Sequence, residues 1–122
     1  MITKELIEFS EFLDTQNKLD IRIGQIVAAE RVAKSEKLLK LTVIFGINEE
    51  DERTVVTNIG ANIDPEDLLA TLHPFVVNLK PSKMMGITSE AMIMVAEAEV
   101  GDLEVLSMHV GIDTYTIGDK LL

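Results

Sequence analysis

Between Asn78 and Met92 the sequence places two lysines, a hydroxyl and a thioether close together: Asn78-Leu79-Lys80-Pro81-Ser82-Lys83-Met84-Met85-Gly86-Ile87-Thr88-Ser89-Glu90-Ala91-Met92. The ammonium groups of Lys80 and Lys83 suit phosphate neutralisation, the Ser89 hydroxyl can donate to a phosphate or a sugar hydroxyl, and Met92 can pack on a sugar or a base. Phe75, Val77 and Leu79 alternate as one face of a strand before this stretch, and Ala91, Ile93 and Val95 do the same after it. Pro81 marks the turn between them. The chemistry on offer is binding, from a turn held between two rigid strands. Each residue also has a plainer use, Met92 as core, Ser89 as a turn hydroxyl and the lysines as solvated surface.

Catalysis finds little support. Without cysteine there is no disulfide framework and no thiolate metal site, and a nucleophile would have to be Ser, Thr or Lys beside a base. His73 precedes a proline and His109 lies in the tail. Two isolated histidines read as structural groups rather than a metal pair. The carboxylates cluster in turns and helix starts, where capping explains them. Neither a Gly-rich phosphate loop nor a dinucleotide fingerprint occurs. The expectation is a binding module with no catalytic residue, no metal and no cofactor.

Charge works against a phosphate ligand. The chain has 122 residues with 11 Lys and Arg against 21 Asp and Glu, a net charge of −10. The cations are concentrated, however. Lys18, Arg22, Arg31, Lys34, Lys37 and Lys40 outnumber Asp20, Glu30 and Glu36, and Lys80 and Lys83 outnumber Glu90 in the stretch from Phe75 to Val95. If these two basic segments meet in space, a cationic face survives on an acidic background. No apolar run is long enough to span a membrane, and the first residues lack a signal-peptide pattern. A soluble, cytoplasmic protein is expected.

The elements that would position these side chains can be read in order. Thr3 to Asp14 has helical spacing, with Thr3 as N-cap and Ile2, Leu6, Phe9 and Leu13 as one stripe. So short a helix must pack on something, most simply as a lid over the domain. Leu19 to Val32 is a strand whose apolar phase changes next to Gly24, which predicts a bulge or sharp bend there. Leu39, Leu41, Val43 and Phe45 form the inner face of the next strand, with Lys40 and Thr42 outward. An acidic hairpin tip, Glu49 to Glu52, leads into a strand from Arg53 to Ile59. Asp64 as N-cap and Pro65 at the first helical position open a helix whose buried side is Leu68, Leu69 and Leu72. Strands His73 to Leu79 and Ala91 to Ala96 follow, then a tail with Leu103 to Leu106 and a last extended piece after Gly118. Short strands with one small helix between the third and fourth predict an all-β, five-stranded Greek-key barrel of the OB type. The expected organisation is an N-terminal helical segment, 1–18, and a barrel domain with a C-terminal extension, 19–122.

The order of residues 78–92 resembles the motif N-L-K-P-x-K-x-M-G-x-x-S-E-G-M of the stand-alone tRNA-binding domains, including the C-terminal domain of methionyl-tRNA synthetases and their free beta subunit. It departs at Ala91, where the family has Gly. Three further blocks are similar to that family: Leu19-Asp20-Ile21-Arg22-Ile23-Gly24-Gln25-Ile26-Val27, Ser35 to Val43, and Arg53 to Ile59. The resemblance implies an OB-fold, often homodimeric, that binds tRNA by shape and works with an aminoacyl-tRNA synthetase. It implies RNA contacts at Ser89, Met92, Asn78, Lys80 and Lys83, with Arg22 and Lys40, expected outward on neighbouring strands, extending the footprint. If the family's Gly takes a positive φ or admits a close backbone approach, a methyl at Ala91 costs about 1 kcal/mol or obstructs RNA.

A second class of function fits the same family. Its secretion-chaperone relatives suggest a protein-interaction dimer in which Met84, Met85, Met92 and Met94 form an adaptable groove for a polypeptide. Buried Met84 and Met94 with clustered lysines would favour RNA. A contiguous exposed methionine patch without lysines would favour peptide.

Overall fold

The computed structural model describes residues 3–46, 51–97, 103–105 and 117–121. The period-two pattern of Leu39, Leu41 and Val43 produces strand β2 (Leu39–Ile44), with all three side chains fully buried. It lies antiparallel between β1 (Ile21–Arg31) and β3 (Glu52–Thr57). Strand β4 (Leu72–Val76) pairs with the first half of β1, and β7 (Met92–Ile93) pairs with β4, giving the order β3-β2-β1-β4-β7. The last pair of strand residues, β10 (Lys120–Leu121), adds to β1 at Ile21 and Arg22. Two small antiparallel pairs complete the described strands: β5 (Ser82–Met84) with β6 (Ile87–Ser89), and β8 (Val95–Glu97) with β9 (Leu103–Val105).

The sheet curls until its ends meet. Glu90 N–H donates to the Thr54 carbonyl at 2.8 Å, and Val56 N–H donates to Ser89 Oγ at 2.9 Å, so the edge strand β3 is joined to the β6–β7 corner. The result is a nearly closed, OB-like all-β barrel. Its core is Ile26, Leu39, Leu41, Val43, Val55, Ile59, Phe75 and Ile93, with Phe45 edge-on to Phe75 at 5.3 Å between ring centroids.

Strand β1 serves two walls, β4 through its first half and β2 through its second. The expected irregularity is present, but it lies between Ile26 and Ala28 rather than at Gly24. Gly24 has a different role: a Cβ there would sit 2.7 Å from both Phe45 and Val43, so its hydrogen lets β1 close onto the β2 side chains.

Three expected elements differ. The helix after β3 is a single 3-10 turn, Pro65–Leu68; Pro65 opens it, but the Asp64 side chain makes no cap and faces Arg31 at 3.4 Å instead. It ends after one turn because β1 takes the following backbone: Ala70 N–H donates to Ile26 O at 2.8 Å and Ile26 N–H to Thr71 O at 3.1 Å. Ala70 adopts φ +64 to make that turn, leaving Leu68 buried, Leu69 exposed and Leu72 in β4. Strand β4 stops at Val76, and Leu79 is exposed. The N-terminal helix α1 spans Phe9–Gln16 rather than beginning at Thr3, and none of its residues is buried. It is therefore not a lid; Phe9 and Phe12 stack on each other at 6.2 Å and face solvent. The expected acidic tip from Glu49 and the region of His109 lie outside the described residues, apart from Asp51 and Glu52 at the start of β3.

Candidate nucleic-acid interface

Residues directly opposite in an antiparallel pair share a face, so the register fixes which side chains meet. Lys40 stands opposite Val56 on β3 and opposite Glu30 on β1. Its Nζ lies 3.6 Å from the Glu30 carboxylate, and the lysine side chain keeps 39% of its surface exposed. Its cross-strand neighbour Val56 lines a groove of about 580 Å³, together with Leu38, Thr57, Asn58, Met84, Met92, Ile93, Met94 and Val95. That is the size of a small-ligand pocket.

The loop that ends at Leu38 is held rather than loose. Ser35 Oγ accepts the amides of Lys37 and Leu38 at 3.3 and 3.0 Å, Val32 N–H donates to Leu38 O, and Gly60 N–H donates to Lys37 O at 2.7 Å. Exposed Lys37 is thereby fixed next to Leu38 at the end of the groove.

The hairpin β5–β6 forms the other wall. Ser82 pairs with Ser89, Lys83 with Thr88, and Met84 with Ile87. Alternation sends Lys83 and Thr88 to one face and Met84 and Ser89 to the other. Both Lys80 and Lys83 are exposed, and among the described residues neither has an ion-pair partner. Met92 is 53% exposed along the groove.

Met84 and Met92 thus line one groove, Lys40 stands opposite the groove residue Val56, Lys83 adjoins Met84 on the hairpin but on its other face, and Lys80 is exposed, while Ser89, Asn78 and Arg22 have other duties. Ser89 is buried; its hydroxyl accepts Val56 N–H and donates to Ala91 O at 3.1 Å. Asn78 ties the start of β1 to the end of β4, with Oδ1 accepting from Asp20 N–H at 2.9 Å and Nδ2 donating to Lys18 O at 2.7 Å. Arg22 does not point outward beside Lys40. It stands opposite Phe75, and its guanidinium binds Asp20 at 2.6 Å and the Gly118 carbonyl at 3.2 Å. With Arg53, which sits 5.5 Å over the Phe45 ring and donates to Val77 O, it caps one mouth of the barrel. Ala91 has no positive φ and is buried in the core, so the backbone strain expected of replacing Gly does not arise.

Leu38, Val56 and Asn58 were not among the expected contacts. Lys37 carried a signal, since it lies in the basic segment and in the matched block from Ser35 to Val43. Val56 lies in the matched block from Arg53 to Ile59, but only strand register places it opposite Lys40. The methionines match neither of the two simple outcomes: Met84, Met85 and Met92 are exposed, as a peptide groove would have them, yet lysines flank them.

Comparisons with known proteins bear on this geometry. Residues 21–114 match the family model described as "Putative tRNA binding domain". A methionine–tRNA ligase from Cytophaga hutchinsonii is 44% identical over 101 residues, covering 83% of this chain and 14% of the ligase. The chain thus spans about a seventh of that relative's length. A methionyl-tRNA-synthetase-related protein of Pyrococcus horikoshii superposes with a TM-score of 0.81 at 34% identity, over 98% of this chain and 100% of that one. The chaperone CsaA of Bacillus anthracis superposes with a TM-score of 0.73 at 26% identity, over 97% and 100%. With the family model covering most of the barrel and a full-length structural likeness at this identity, the chain belongs to the tRNA-binding domain family.

Proposed function

We propose that the protein is a non-catalytic tRNA-binding module that holds tRNA by its shape along the Lys40–Met92 groove. The observation that carries this reading is an apolar groove with lysines on the segments that form it: Lys37 adjoins Leu38, Lys40 stands opposite Val56, and Lys80 and Lys83 lie just before Met84, so that lysines are available for phosphates and Met84 and Met92 for sugars or bases. Membership of the family and the likeness to methionyl-tRNA ligases support tRNA as the ligand. Ser89 and Asn78 act by holding the hairpin and the β1–β4 junction in place. The module works as a homodimer joined through the exposed apolar residues of α1, and it raises the local tRNA concentration for a synthetase in the cytoplasm.

A gel shift with total tRNA at two salt concentrations tests this. Micromolar or tighter binding that weakens steeply with salt is expected, because counterion release scales with the phosphates contacted. No retardation at low salt would refute it.

One observation favours a second reading. The groove's exposed methionines and the likeness to a chaperone fit an extended apolar peptide. Peptide binding that displaces no tRNA, together with an absent gel shift, would replace the first reading by the second.

A further inference from the structure

The tip of the β5–β6 hairpin is built against its own backbone preference. Met84 and Ile87 flank a two-residue loop, Met85-Gly86, with φ +49 and +82. Positive φ at both central positions is the signature of a type I′ turn, where Asn-Gly is the favoured pair and a long side chain at the first position is strained. Gly86 meets the requirement; Met85 does not. The methionine is held there while 57% of its surface is exposed, so packing does not explain it.

The setting suggests what the side chain is for. Residues 81–86 are all exposed, and a Cβ added at Gly86 would meet nothing within 4 Å, so the tip stands clear of the barrel. Its base is fixed by the Ser89 and Glu90 bonds to β3. Lys83 lies two residues from Met85 on a hairpin arm, and Met84 beside it lines the groove. A rigidly based finger with an apolar, polarisable tip and a cation on its arm matches an exposed nucleobase adjoining a phosphate.

From this we infer that Met85 is an apolar contact for an unpaired or terminally stacked nucleobase of the bound tRNA, separate from the phosphate contacts of the lysines. The inference rests on the tRNA-binding reading of the same face. The Met85 side chain is left exposed at this left-handed position, and a turn residue chosen only for stability would be Asn or Gly.

The test uses the full chain with Met85→Asn, Met85→Leu and Lys83→Ala, measuring total-tRNA affinity by fluorescence anisotropy across a salt series, with thermal unfolding of each variant. Met85→Asn creates the preferred turn pair and is expected to unfold at a temperature no lower than the parent. Its affinity should fall about three- to tenfold at every salt concentration with the log–log salt slope unchanged. Met85→Leu should stay within about twofold, and Lys83→Ala should flatten the slope. If the parent binds tRNA and Met85→Asn binds equally well, the inference fails while the tRNA reading stands. If the parent does not bind tRNA, the tRNA reading itself fails and takes the inference with it.

Discussion

Ser89 Oγ accepts the Val56 amide at 2.9 Å while donating to the Ala91 carbonyl at 3.1 Å, and this one hydroxyl bridges the open edge of β3 and the motif hairpin. A family-signature residue is thus a structural clamp, and it shapes the groove because Val56 is part of the groove wall.

Ser89→Ala should leave the buried Val56 N–H without a partner. The expected loss is about 1–3 kcal/mol of unfolding free energy, read from urea denaturation. An unchanged midpoint would mean that the clamp contributes nothing.

Lys80→Ala with Lys83→Ala removes two exposed cations that have no ion-pair partner among the described residues. Folding stability should change little. The slope of log affinity against log salt should become shallower by about 0.7–0.9 for each phosphate that is no longer neutralised. A slope equal to the parent's would place the phosphates elsewhere.

Met92→Ala truncates an exposed groove side chain. It should weaken tRNA binding by about 0.3–1.5 kcal/mol without altering the salt slope or the unfolding midpoint. A variant with normal affinity would remove Met92 from the interface.

At the other mouth of the barrel, Gly118 has φ +86, and a Cβ there would lie 2.5 Å from the Phe45 carbonyl oxygen. Gly118→Ala should therefore destabilise by about 1–3 kcal/mol. Thermal unfolding would reveal a shift of several degrees for a chain of this size.

Replacing Phe9 and Phe12 together by Asp puts charge on the exposed apolar side of α1, where neither ring is buried. The expected outcome is a monomer by light scattering with an unaltered barrel by circular dichroism. A parent that is already monomeric at micromolar concentration would end the dimer proposal.

How far these features could be read from the sequence depends on the range of the interactions behind them. Leu39, Leu41, Val43 and Phe45 announced an inner face because alternation is local, and the Asp64-Pro65 step announced a helical turn for the same reason. The length of that turn was not legible, since Ala70 and Thr71 are claimed by Ile26, far away in sequence. The hairpin at 82–89 was hidden too, because its strands have three residues each and little apolar alternation. For the candidate site, residue types pointed alike to Lys83, Met92 and Ser89, and chemistry alone could not separate a free hydroxyl from the bonded one of Ser89. Arg22 looked like surface charge until the register placed it opposite Phe75.

The pairing of β10 with Ile21 and Arg22 has a consequence for biogenesis. Arg22 donates to Gly118 across a separation of 96 residues, so the first strand emerges from the ribosome long before its flanking partner exists. At about 5–20 residues per second that interval lasts about 5–20 s. During it the edge of β1 at Ile21 and Arg22, on the side away from β4 and before the stretch that β2 covers, is open to any other extended chain, and shielding it falls to a nascent-chain chaperone until β10 is synthesised.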